Sequence, residues 1–564
     1  MRSRICGVVA LAGLAASACG GGDGTGPSPT TAANCDNPAP VTLSPGQYAV
    51  FGLAASSGCV RLPAAGSGGA NYFMALVSGA GAVTQNGVSG PYALRVGPQG
   101  SLTAAPAQAP PVQSIATLLD EDQPFPTRFH LALREREREL SAESGNRLAA
   151  PAAVPALAAP VEGTERTFKV CKNLTCTQFD SVAAVARVVD QKTAIYLDKV
   201  VPTFDTLTQA DLVDLARTFN TYHYPFNTNA FGAESDKDAN GVVIILLTDA
   251  VNALTPDCTN GRILGFFWGG DLLDVNGSNK GEVFYAMVPA PATSTCTVAR
   301  RKDTLDRLKP TLIHELQHMI SFNQHALVRN GQSETTWLNE ALSHFAEELG
   351  GRLIPNSECV GFSSCRSQYI SGDLFNAYDY LGDTEANFLV APASSSGTLK
   401  ERGAGYLFLR WLADQFGADS LGTNTTRALV QTSQTGAANV ASATGQDFPT
   451  SVAEWQLAVY TDDLPGFTPG SPRLTYKSWG YRKVFQDNCC TPGAAFAKAF
   501  PMEPVFATSF PFLRSGTLRG GTGQHFQVTV PAGGQGVDVL VARSGGGPQI
   551  DPSLEARLAI VRLP

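Results

Sequence analysis

Basic residues are in short supply. Lysine and arginine together number 41 against 49 aspartates and glutamates, leaving a net charge of −8. No basic face offsets phosphate charge, so a nucleic-acid partner is not expected. Charge of either sign is sparse, at 16% of the chain, while Gly (56) and Pro (36) are plentiful. That balance excludes a disordered polyelectrolyte or a fibre and suits a loop-rich globular protein. After the first residues no apolar run is long enough to span a bilayer. The cysteines nowhere take zinc-finger spacing, which argues against a thiolate metal site. Histidine is scarce too, with 7 in 564 residues, yet His314, His318, His325 and His344 fall close together. A chain of this length calls for two to four domains rather than one core.

The first residues read as an address. "MRSR" supplies positive charge, "ICGVVALAGLAA" is a short apolar run, and small residues precede Cys19. This is the layout of an export signal over 1–18, and the cysteine after "ASA" resembles a bacterial lipobox, with Ala16 where leucine is commoner. Cys19 is then the lipid acceptor, 19–34 a flexible tether, and the envelope membrane a partner through that anchor. Plain secretion with cleavage near Ala18 is the alternative. With Cys6 in the leader and Cys19 lipidated, ten cysteines remain, an even number consistent with export. Proximity predicts Cys35–Cys59, Cys171–Cys176, Cys258–Cys296 and Cys359–Cys365; for Cys489 and Cys490 a vicinal bridge and partners elsewhere both stay open.

Further along, the sequence divides into an α+β domain flanked by N- and C-terminal β-sandwich-like domains. Residues 35–97 alternate short strand-like runs with Gly, Ser and Pro turns and read as a small β domain. Residues 98–164 are Ala- and Pro-rich and read as a linker, with "FHLALREREREL" helical inside it. That helix is taken as a spacer; the rival is a pro-segment laid over an active site. Residues 165–499 mix strands ("TAIYLDKV", "GVVIILLTDAV", "GEVFYAMVPA") with long helices. Residues 500–564 return to strands and read as a second, C-terminal β domain.

"LIHELQHMI" carries the chemistry. His314 and His318, four apart, share one face of a helix and can aim two imidazole nitrogens at one ion. Glu315 projects beside them, placed to take a proton from a metal-activated water. Pro310 suggests that the helix starts near it. The plain alternative is a core helix with two satisfied histidines. A catalytic zinc needs a third protein ligand and an open fourth position. The HExxHxxGxxH solution fails: Ser321 replaces the glycine, His325 falls one residue too far, and Met502 alone remains for a Met-turn. Glu340 stands 22 positions after His318 in "ETTWLNEALSHFAEEL", where a second helix can bring it to the ion.

"WLNEALSHFAEE" resembles the glutamate-ligand segment of gluzincins. Together, "HELQHMI…TTWLNEALSHFAEEL…GAGYLFLRWLADQFG" most resembles the hyicolysin family of zinc metallopeptidases, over about the middle half of the chain. The resemblance implies a gluzincin-type α+β fold and zinc-dependent peptide hydrolysis, with His314, His318 and Glu340 as zinc ligands and Glu315 as general base. Where thermolysin-like relatives carry an aspartate after the ligand glutamate, this sequence has His344. A carboxylate for a ligand histidine would then come from Glu347 or Glu348. His344 itself reads first as a surface residue, then as an alternative ligand or transition-state donor. Lys400, Tyr406, Tyr378 and Tyr380 are the candidates for an oxyanion donor, and none is assigned.

"RILGFFWGG" or "EVFYAMVPA" could hold an extended peptide along a sheet edge. No amine-anchoring motif precedes the metal helix, so an endopeptidase acting as a monomer on peptide or protein substrates is expected. The alternative is a non-catalytic surface-binding lipoprotein with a structural or vestigial zinc. Asp236, Asp238 and Asn240 in "ESDKDANGVVI" open like an EF-hand loop and are candidates for Ca2+. Leu247 replaces the glutamate at position twelve, and a solvated turn is the other reading.

Overall fold

The computed structural model describes residues 33–54, 57–102, 125–145, 159–259, 261–393, 398–543 and 549–564. The export signal, Cys19 and nearly all of the tether lie outside them.

Strands from both ends of the chain build one sandwich. The N-terminal strands are β1 (Ala39–Pro40), β2 (Tyr48–Gly52), β3 (Cys59–Leu62), β4 (Ala70–Val77) and β5 (Ser89–Pro98). Six strands form the middle sheet: β6 (Glu165–Cys171), β7 (Phe179–Asp190), β8 (Thr193–Asp198), β9 (Val243–Leu247), β10 (Gly265–Phe267) and β11 (Val283–Ala286). The C-terminal strands are β12 (Val505–Ala507), β13 (Phe512–Arg519), β14 (Gly523–Val530), β15 (Val537–Ala542) and β16 (Arg557–Arg562). One sandwich sheet runs β1-β3-β15-β5-β13 and the other β12-β14-β4-β16-β2. β15 lies between β3 and β5, and β4 lies between β14 and β16. The expectation of separate β domains at 35–97 and 500–564 is thereby corrected: neither set of strands can complete its hydrogen-bonded ladders without the other.

β4 shows why its sequence is apolar throughout. Tyr72, Met74 and Leu76 enter the sandwich core, whereas Phe73, Ala75 and Val77 join the core of the central domain. A strand buried on both faces loses the polar alternation of a half-exposed one. Phe73 stacks on Tyr460 with ring centroids 4.0 Å apart, so the sandwich is packed directly against a helix of the central domain.

That domain has a six-stranded mixed sheet, β10-β11-β9-β8-β7-β6, with β10 at one edge. Its helices are α1 (Phe125–Gly145), α2 (Gln209–Thr218), α3 (Tyr224–Phe231), α4 (Asp249–Ala253), α5 (Arg301–Phe322), α6 (Thr336–Leu353), α7 (Cys365–Tyr369), α8 (Ser371–Leu381), α9 (Leu399–Phe416), α10 (Thr423–Val430), α11 (Gly436–Thr444), α12 (Phe448–Thr461) and α13 (Tyr481–Asp487). Pro310 sits inside α5, not near its start. A proline there frees the carbonyl four residues earlier, and Gln368 Nε2 donates to that carbonyl of Asp306 at 2.9 Å. "GAGY" in α9 is explained by close packing. A Cβ on Gly403 would lie 2.1 Å from the Asn376 carbonyl oxygen of α8, so only glycine lets the two helices approach.

α1 is no spacer. Phe129, Leu133 and Leu140 are buried, and so are Arg134 and Glu137, each 1% exposed. Arg134 donates to the Phe267 carbonyl at 2.6 Å and pairs with Glu137, which accepts the Gly269 N–H at 2.6 Å. The alternating Arg and Glu that resemble a solvated face are instead partly consumed in holding α1 against β10 and the turn after it.

Four expected local disulfides are present, Cys35–Cys59, Cys171–Cys176, Cys258–Cys296 and Cys359–Cys365, and Cys489 pairs with Cys490. No helix among the described residues is long and apolar enough to cross a membrane.

Candidate metal centre

α5 and α6 pack side by side, and the site lies between them. His314 and His318 present their Nε2 atoms to each other at 3.1 Å. Glu340, from the first turns of α6, brings one oxygen to 3.6 Å from His314 Nε2 and the other to 3.6 Å from His318 Nε2. Ligands about 2.0–2.1 Å from a tetrahedral zinc lie about 3.3 Å from one another. The three side chains fit that ion. Neither Glu340 oxygen, both buried, has a hydrogen bond, and Arg402 Nη1 lies 3.2 Å from one of them as an ion pair.

The remaining ring nitrogens are fixed from behind. His314 Nδ1 meets Glu347 Oε1 at 2.7 Å, and His318 Nδ1 meets Asn339 Oδ1 at 3.1 Å. Such contacts set the tautomer that leaves Nε2 available to a metal. Of the two carboxylates anticipated for this task, Glu347 performs it. Glu348 faces away, accepting from Trp479 Nε1 at 2.9 Å and pairing with Arg352 and Arg410. Burial holds His318 well below the ordinary histidine range, hence neutral. Burial also acts to lower His314, but Glu340 and Glu347 outweigh it and raise the metal-free imidazole to about 9. Glu340 is held well below the usual carboxylate range: burial opposes this, but the Arg402 guanidinium and the two histidines prevail.

Glu315 is 1% exposed and accepts the Phe267 N–H at 2.9 Å. Arg134 Nη2 lies 3.8 Å from one of its oxygens and His130 Nδ1 3.6 Å from the other. Burial raises its pKa above the ordinary carboxylate range, and the Arg134 guanidinium opposes that.

His344 is buried rather than superficial, one turn beyond Glu340 on the same face of α6. Its Nδ1 faces both Asp373 at 2.8 Å and Glu347 at 3.0 Å, leaving Nε2 unpartnered. Burial favours the neutral ring, but these two carboxylates raise it to about 10, so it carries charge at neutral pH. His130, His314, Glu315, His344 and Arg402 line one cleft of about 560 Å³. None of the earlier oxyanion candidates joins them. Tyr406 is buried, Tyr380 accepts from Gln456, Tyr378 accepts the Lys498 N–H, and Lys400 reaches Asp383.

His130, Arg134, Asp373 and Arg402 escape sequence reasoning, because they come from α1, α8 and α9 and share no spacing with the metal motif. Asn339 was discoverable, being the N of "WLNE". Asp236 and Asp238 come together with Glu282, not with Asn240 as a third ligand: Asn240 Oδ1 accepts the Val242 N–H, and its amide donates to Asp238.

No family model matches the chain. It is similar to the neutral metalloprotease ShpI of Staphylococcus hyicus, 27% identical over 212 residues that cover 37% of this chain and 43% of that protein. The chain thus matches less than half the length of this curated relative. Among solved structures, an M1 zinc metallopeptidase from Deinococcus radiodurans aligns over 52% of this chain and 48% of its own, at 15% identity and a TM-score of 0.25. A mutant form of that enzyme aligns equally far at 14% identity and the same TM-score. Scores this low carry no argument about the fold.

Proposed function

We propose that the protein is a zinc-dependent peptidase of hyicolysin-like type, cutting within peptide chains. The observation that carries this reading is the convergence of His314, His318 and Glu340 beside a buried Glu315 at the wall of an open cleft. The similarity to a neutral metalloprotease supports it. His314, His318 and Glu340 would hold a zinc ion, which would supply Lewis acidity toward the scissile carbonyl and toward water.

The chain's own residues do the rest. Glu315 accepts a proton from the attacking water and passes it to the leaving amine, while the Phe267 N–H and Arg134 fix its position. Asn339 and Glu347 hold the ligand imidazoles in register. His344, charged and open at Nε2, donates to the carbonyl oxygen as negative charge develops there. Endopeptidase action fits an open cleft beside the ligands, where Glu347 and Asp373 pair with His314 and His344. The expected use of β10 as a substrate edge is restricted, since the carbonyl and N–H of Phe267 already serve Arg134 and Glu315.

Export and anchoring through Cys19 remain part of the proposal. Glu315→Gln should keep its zinc by metal analysis and lose casein hydrolysis by at least about a hundredfold. A zinc-loaded variant with full activity would refute the peptidase reading. A structural-zinc binding protein has no use for a buried base beside an open cleft, and its wild type would digest nothing with or without chelator.

A further inference from the structure

We propose that Asp236, Asp238 and Glu282 form a calcium site, separate from the zinc centre, that ties the loop before β9 to the start of β11. Each contributes a carboxylate oxygen to a group whose atoms all lie within 4.8 Å of one another. Calcium bound at 2.3–2.6 Å spans oxygens that far apart, and its ligands are oxygens alone.

The deciding feature is a pair of bare buried oxygens. Asp238 and Glu282 are each 1% exposed. On Glu282, Oε1 is satisfied by the Ser235 hydroxyl and by the Lys237 N–H at 2.9 Å, while Oε2 has no partner. On Asp238, Oδ2 accepts from Asn240 Nδ2 at 2.9 Å, while Oδ1 has no partner. Asp236 sits at the open side, its Oδ1 accepting the Gly241 N–H at 3.1 Å. Water can therefore complete the coordination from that side. One cation approaches: Arg166 Nη1 lies 3.8 Å from Asp238 Oδ2, while its Nη2 donates to the Asn279 carbonyl at 2.7 Å. A single guanidinium does not balance three carboxylates, and burial raises the pKa of both Asp238 and Glu282, the sign of anions lacking a counter-ion.

Glu282 supplies what the loop motif lacks. Leu247 stands where an EF-hand places its glutamate, and its side chain is buried in the sheet as part of β9. The third carboxylate arrives instead from Glu282, the residue before the neighbouring parallel strand β11, 35 positions beyond Leu247 in sequence; its carbonyl accepts the Ile244 N–H at 2.7 Å, at the start of β9, where the loop ends. β9 and β11 are adjacent, and β11 carries β10. Calcium here would brace the sheet that positions Phe267 without touching the peptide chemistry.

The test uses the full zinc-loaded protein in calcium-free buffer, titrated with CaCl2 by calorimetry and melted with and without it. One calcium should bind per chain and raise Tm by several degrees. Asp238→Asn with Glu282→Gln should abolish both signals. The double variant should melt no lower than wild type in calcium-free buffer, because it removes uncompensated charge, and its zinc content and peptidase activity should be unchanged there. Absence of a calcium-dependent shift in wild type, its persistence in the double variant, or an equal shift with MgCl2 would each overturn the assignment. Loss of peptidase activity in Glu315→Gln leaves this outcome untouched, so the two readings fail separately.

Discussion

His344 shows how one residue changes meaning with its surroundings. In sequence it stands where an anionic acceptor is expected, and a histidine there looks like a lost contact. In space the relation is reversed. Glu347 orients His314 and also faces His344, and Asp373 adds a second carboxylate to the same ring nitrogen. The ring is thus held charged with Nε2 free, which is what a donor to a developing oxyanion requires. We expect His344→Gln to retain zinc and to lower kcat about 10² to 10³-fold with little change in KM, measured on a peptide substrate under steady-state conditions. A fall in zinc content instead would make His344 a support for the ligands. Position 344 was readable from the sequence, but its role was not, because Asp373 lies on another helix and nothing in the spacing announces it.

At the scale of elements, the two helices that bring His314, His318 and Glu340 together were legible and α1 was misread. α5 and α6 announce themselves through HELQH and WLNE, whose residue spacing maps onto helix faces without tertiary information. The RERER run of α1 gives the opposite impression, since alternating charges usually mark a solvated surface. Arg134 and Glu137 are buried because each finds its partner on β10 or just beyond it, and such partners cannot be seen from within the helix. Removing one member of a buried pair leaves the other uncompensated. Arg134→Ala should therefore destabilise the protein by about 3–5 kcal/mol in chemical denaturation, and Arg134→Leu with Glu137→Leu should recover much of that loss. Equal damage from both would mean that the pair is not the source of the effect.

The whole molecule departs most from its sequence reading. Alternating strands at both ends were recognisable, but β pairing is non-local, and no local signal says that β15 lies between β3 and β5. The central domain is consequently an insertion within a sandwich. Cys35–Cys59 closes within the N-terminal part, and the other disulfides among the described residues lie within residues 171–490, so none of these fastens the first strands to the rest. Their attachment rests on ladders and packing. A protein cut at an engineered protease site within 103–124 should elute as one particle in native buffer and separate only in denaturant. Release of the small fragment without denaturant would contradict the shared sandwich.

The same arrangement sets an order of events during synthesis. β3, β4 and β5 emerge early, yet their ladder partners β14, β15 and β16 are translated last. For almost the whole passage of the chain these early strands present open, apolar edges. Closing contacts over such long sequence separation is slow and leaves strands exposed to wrong pairing. The central domain can form while they wait, and Phe73, Ala75 and Val77 of β4 then have the Tyr460 face of α12 to rest on. That helix would act as a holding surface for unfinished strands until the final residues arrive to close the sheet.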